Sequence, residues 1–148
     1  MKLITCITLF LLSVQLYSQD TLQLYHQLKR GDVFKMSVYE FKDGKPKLLA
    51  QQPRYGKFDI LMEDSFVVKM LDKKVIYTIS GLSETKKPVF GLSLSGYFKM
   101  SDSKATHTCW VGIEEYKDPV MLARDCLKVH VIVDVGSYLV FHVLDHDL

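Results

Sequence analysis

The sequence has little that would build a helical, bridge-dense or nucleic-acid-binding protein. Only 3 of its 148 residues are cysteine and only 4 are proline. That is too few cysteines for a small fold held together by bridges, and too few prolines for an extended or disordered tract. Neither charge sign dominates: 19 Lys+Arg stand against 17 Asp+Glu, a formal net charge of +2. Binding to nucleic acid draws on a concentrated basic surface that releases counterions, so this balance argues for no nucleic-acid partner. No apolar run reaches the ~20 residues that a membrane-spanning helix needs. Helical periodicity is scarce, and no internal repeat, low-complexity tract or linker breaks the chain. What is there is 48% apolar, 24% charged and 11% aromatic, enough for one domain with a core and not for two.

The longest apolar run comes first. Met1-Lys2 precedes Leu3 to Val14, and Gln15 to Gln19 form a polar exit. This is the layout of a secretory signal, with Ser18 as the small residue before the cut. The expected processing gives residues 1–18 as a cleaved signal peptide and 19–148 as a single antiparallel β domain. The Met-Lys start and the Ser-Gln junction resemble secretion signals of Gram-negative bacteria. That resemblance implies a secreted or periplasmic protein, not membrane-spanning after cleavage. Cys6 leaves with the signal, so Cys109 and Cys126 remain in a compartment where disulfides persist. A Cys109–Cys126 disulfide is expected; it closes a loop of about 17 residues and stabilises by roughly 3 kcal/mol in the chain-entropy treatment.

Beyond the signal, apolar residues alternate. Leu22, Leu24 and Leu28 share a face, then Phe34, Met36 and Val38 do, across a short loop at Arg30-Gly31-Asp32. Asp43-Gly44 is the strongest hairpin signal and pairs Val38 with Leu49 and Glu40 with Lys47. Strands at Lys57–Met62, Ser65–Leu71 and Lys74–Ser80 set Met70 opposite Val75 and Val68 opposite Tyr77. Their other face carries Val67, Leu71 and Ile76, which predicts cover on both sides. Pro88–Met100 reads as one long strand bent at Gly96, and His107–Tyr116 as another. Asp118-Pro119 offers a cap and a first-turn proline, predicting a short helix over Pro119–Asp125. In the last hairpin, Val133 faces Leu139 and Val131 faces Phe141 across Val135-Gly136-Ser137, which sets His130 directly opposite His142 on the outer face. The fold class is all-β: a single-domain antiparallel β-meander, an up-and-down barrel or sandwich of about eight to ten strands.

Candidate chemistry is sparse. His130 and His142 form half of a metal site, with Asp134 and the tail Asp145-His146-Asp147 nearby in sequence, although exposed sheet histidines are the commoner arrangement. Cys109, Cys126 and His107 are soft zinc ligands by type, but the short Cys-x-x-Cys knuckle is absent and oxidation competes. Gly91 to Gly96 has glycines at the wrong spacing for a nucleophile elbow, and outward serines on a strand explain it. Arg30-Gly31-Asp32 reads as turn chemistry rather than as an adhesion triplet. Lys73-Lys74 and Lys86-Lys87, beside Asp72 and Glu84, read as a solvated rim.

No catalytic residue and no cofactor is assigned, and the balance leans away from an enzyme. The expected function is an exported non-catalytic binding module whose partner is a small apolar ligand, held in a barrel wide enough for one. Lipocalins hold ligands this way, but their Gly-x-Trp signature is absent, and the sole tryptophan is Trp110. Two alternatives stand beside it. One is an envelope protein that binds another protein, as an assembly factor, inhibitor or immunity protein, through an exposed sheet edge. The other is a small metal-dependent enzyme built on His130 and His142. A large enclosed apolar pocket supports a ligand held inside the barrel, a barrel axis filled by side chains removes that version, and an open sandwich with an uncovered edge and no pocket favours the interaction protein.

Overall fold

A computed structural model describes residues 30–89, 92–121, 125–134 and 136–145. They form eight antiparallel strands: β1 (Arg30–Lys42), β2 (Lys45–Met62), β3 (Ser65–Met70), β4 (Val75–Val89), β5 (Leu92–Met100), β6 (His107–Lys117), β7 (Asp125–Val133) and β8 (Ser137–Asp145). Each pairs with the next, and β8 returns to β1, so the sheet closes into a barrel. Closure leaves no edge to the sheet as a whole and turns one face of every strand into a shared core.

The alternation of apolar side chains dictates that closure. Phe58, Phe66, Val68, Ile79, Val129 and Phe141 all point inward and are fully buried. Rings occupy the middle of the barrel: Phe58 and Phe66 have centroids 5.1 Å apart, and Tyr77 lies 5.5 Å from Phe141 and 5.8 Å from Phe98. A ligand running down the axis would have to displace them.

Local turn chemistry fixes the pairings. Asp43 and Gly44 take left-handed angles, φ 54° and 73°, the type I′ geometry that suits a two-residue hairpin. Glu40 faces Lys47 as expected, but an irregularity between Val38 and Tyr39 moves Val38 onto Ala50 instead of Leu49. Met70 faces Val75 and Val68 faces Tyr77. The expected bend at Gly96 belongs across the ladder, on β4: Gly81 has φ 65°, the register shifts between Ser80 and Ser83, and Leu82 drops over Gly96. A Cβ on Gly96 would meet Leu82 Cδ2 at 2.9 Å and Ser80 O at 2.8 Å, so glycine is required there by close approach.

Several expectations are corrected. The expected strand Leu22–Leu28 lies outside the described residues. Arg30-Gly31-Asp32 is no loop; it begins β1 and is paired on both sides, with Gly31 opposite Phe58 and Asp145. Pro88–Met100 is two strands, because Val89 pairs back onto Leu92. Cover on both sides fails for Leu71 and Ile76, which are exposed, although Val67 is buried. The described part of the 119–125 stretch is a turn rather than a helix. Val120 N–H donates to Asp118 Oδ1 at 2.9 Å, and Met121 N–H to Asp118 O at 3.2 Å.

Candidate functional site

Above the packed rings, at the end of the barrel that carries the β3–β4, β5–β6 and β7–β8 connections, lies a half-open cleft of about 230 Å³. Its wall is apolar: Tyr77, Phe98, Met100, Val133 and Leu139, inward residues from four strands and the last turns of the core. Its polar rim is Ser103, His107 and Ser137. Barrel mouths with apolar walls and a few convergent polar groups are where such folds hold small molecules.

The rim histidine is held from behind. Asp134 follows β7, and its N–H donates to Thr108 O at 3.0 Å. Its carboxylate accepts from the Thr108 hydroxyl at 2.9 Å and from Thr108 N–H at 3.2 Å. The other oxygen lies 3.2 Å from His107 Nδ1. The turn that places Asp134 depends on Gly136, whose φ of 89° lets its N–H reach Val133 O at 3.0 Å. The Thr108 hydroxyl bond, outweighing partial burial, holds Asp134 below the usual carboxylate value, helped by the Thr108 N–H and by His107. In the neutral ring, a proton on Nδ1 facing Asp134 leaves the lone pair on Nε2. Among the described residues, no hydrogen-bond partner takes that nitrogen.

A second histidine constellation runs over the outer face from β6, across β7, to β8 and β1. A bulge after Val33 turns both Phe34 and Lys35 outward, over His142. Gln51 Nε2 donates to Ser37 Oγ at 3.2 Å, and Ser37 lies 3.3 Å from His142 Nε2. On its other side His142 Nδ1 sits 2.7 Å from the Tyr116 hydroxyl, which donates to Asp118 Oδ2 at 3.3 Å. Lys35 Nζ completes the row with a 3.0 Å bond to the same oxygen. Asp118 can only accept, so the protons run one way: Ser37 donates to His142, His142 to Tyr116, and Tyr116 to Asp118. Burial opposes the charge on Asp118, but Lys35, Val120 N–H and Tyr116 prevail and hold its carboxyl below the usual range. Burial first, then the Lys35 and Lys128 charges, push His142 down to about 4, so it is neutral at pH 7.

The row has the order of a serine–histidine–acid relay, yet Ser37 is 0% exposed and cannot be approached by substrate. Each ring nitrogen of His142 has a protein neighbour within hydrogen-bond distance. The row ties three strands together.

The remaining candidates are placed differently from expectation. His130 does not face His142; it faces Val140, and His142 faces Lys128, a slip of two residues. His130 lies 2.7 Å from the Tyr138 hydroxyl through Nδ1 and 3.2 Å from Glu114 through Nε2. Both histidines thus spend both nitrogens on protein partners and have no free edge for an ion. Among the described residues no group of three or more His, Cys, Asp or Glu has the geometry to hold a metal. Cys109 and Cys126 are both buried, and no disulfide joins them. Along the β6–β7 ladder Cys109 faces Val133 while Cys126 faces Tyr116, so seven rungs, about 23 Å at 3.3 Å per residue, separate them. A bridge needs Cα atoms within about 7 Å. An odd separation also sends them to opposite faces, so they share no zinc with His107 either.

The fold and the cleft define a closed eight-stranded antiparallel barrel with a polar-rimmed mouth. No family model, no curated protein and no solved structure matches the chain.

Proposed function

We propose that this chain is an exported, non-catalytic binding module that holds one small, mainly apolar molecule in the mouth of its barrel. The observation that carries this reading is the cleft: apolar on its walls, polar only at its rim, and bounded below by packed rings. Those rings limit the ligand to something short. An engineered cavity of about 150 Å³ holds benzene, so about 230 Å³ suits a single substituted ring or a branched chain rather than a long acyl tail. Export is part of the proposal, with cleavage after Ser18; intact mass of the secreted protein should place its first residue at Gln19.

The binding test is an amide-shift titration of the processed chain with toluene, cyclohexanol and indole by two-dimensional NMR. The expected result is saturable shifts confined to Tyr77, Phe98, Met100, Val133 and Leu139. Absence of saturable shifts with all three, or shifts elsewhere, contradicts it.

An interaction protein that pairs through a strand edge is the second reading. Among the described residues, Lys45 to Arg54 of β2 have a ladder partner on the β1 side only, and Leu48 and Leu49 there are exposed. Lys45, Pro46, Lys47 and Pro53 lie on the same stretch. Charges and missing N–H donors discourage strand addition, so the cleft is the stronger candidate.

A further inference from the structure

We infer that the cleft selects a neutral ligand carrying a hydroxyl group, which donates its proton to His107 Nε2: a small phenol or a compact alcohol rather than a hydrocarbon, ether or carboxylate. The inference rests on the binding reading above and names its ligand class. It follows from the direction of the hydrogen bonds at the rim. Asp134 accepts from Thr108 twice and has its other oxygen at His107 Nδ1. With the imidazole neutral, an acid behind one nitrogen holds the proton there and leaves the other nitrogen as an acceptor. His107 lines the cleft, so the group that meets Nε2 in the bound state is a ligand donor.

The rim also supplies the complementary half. Ser103 Oγ already accepts from Ala105 N–H at 3.1 Å, which leaves its own proton to offer, and Ser137 adds a second hydroxyl. A ligand O–H can therefore donate to His107 and accept from a serine, while its ring packs on Tyr77, Phe98 and Met100. An anionic head fits poorly. Asp134 stands directly across the imidazole. A site built around a hydrogen bond disfavours the analogue that cannot make it, because that analogue displaces rim water without replacing its hydrogen bonds.

The test compares toluene, 4-methylanisole, p-cresol and p-toluate against the processed chain by calorimetry or NMR titration. The four share a ring and differ only in the head. The expected order is p-cresol tightest, by about tenfold over 4-methylanisole and toluene, the worth of one net hydrogen bond, with p-toluate weakest. In His107→Leu, the preference for p-cresol over toluene should disappear; His107→Gln, which retains an acceptor, should restore part of it. His107 is on the rim and partly exposed, and an unchanged denaturation midpoint confirms that each variant is folded. Equal binding of toluene and p-cresol to the wild type, or a preference that survives in His107→Leu, overturns the hydroxyl inference and leaves the binding reading standing. Failure of all four to bind overturns both.

Discussion

Two histidines on this barrel are each linked to an aspartate, and they illustrate opposite uses of the same side chain. His142 reaches Asp118 through Tyr116, has Ser37 on its other nitrogen, and is 5% exposed. His107 touches Asp134 directly and lines a cleft. The first is closed on all sides by protein, so its chemistry is spent on holding β1, β6 and β8 in register. The second is half satisfied, so the protein alone does not complete it. A serine–histidine–acid order is therefore a poor guide by itself. Whether the terminal group can be reached decides between a clamp and a site.

Substituting each histidine by leucine breaks the comparison most directly. His142→Leu strands the buried Ser37 hydroxyl and removes the partner of Tyr116, and should cost about 3 kcal/mol in urea denaturation. His107→Leu removes a rim contact and should cost about 0.5 kcal/mol or less. Comparable losses at the two positions would erase the distinction.

Acid sharpens the comparison next. His142 is pushed from an ordinary 6.5 down to about 4, burial being the main cause. Its folded pKa is depressed, so its contribution is complete above pH 6.5 and is lost as pH falls toward 4. Between pH 7 and 5 the wild type should lose about 2 kcal/mol from this group. The His130 pKa is also lowered, by burial against the opposing pull of Glu114, and adds in the same direction. In His142→Leu the decline should shrink to that smaller part. A flat profile in the wild type would mean that His142 is not shut in.

The smallest expected effect concerns the thiols. Burial, with Asp134 adding to it, raises Cys109 to about 12, and burial also raises Cys126. Iodoacetamide at pH 8 should modify neither in the folded processed chain and both in urea, and the intact mass should show two thiols without reductant. A mass two units lower would restore the disulfide that the strand register rejects.

How much of this was legible follows from what alternation can and cannot encode. Period-two patterning put Val129, Val131, Phe141 and Val143 inside, and they are fully buried. It is blind to a slip of two residues, which keeps every side chain on its face while changing every partner. The last hairpin slipped by that amount, and so His130 and His142 were expected as neighbours across a ladder that joins His130 to Val140. The first hairpin was readable because Asp43-Gly44 pins its turn, yet the irregularity at Val38 left no mark in the composition. Gly31 looked like a turn residue; its reason is contact, since a Cβ there would meet Leu144 O at 2.8 Å. The site was hidden for the same cause. His107 meets Asp134 only through the β6–β7 register, which the Asp118-Pro119 signal does not fix. Asp118 was recognised as a cap, but its partner Lys35 comes from β1, on the other side of β7 and β8.

Imidazole nitrogen shifts of the two histidines, followed while p-cresol is added to the processed chain at pH 7, test the central claim most directly. The account predicts that His107 Nε2 moves with saturation as it gains a donor, while both nitrogens of His142 stay where they were. A His107 signal unmoved at millimolar p-cresol, or a His142 signal that moves with it, would contradict the account.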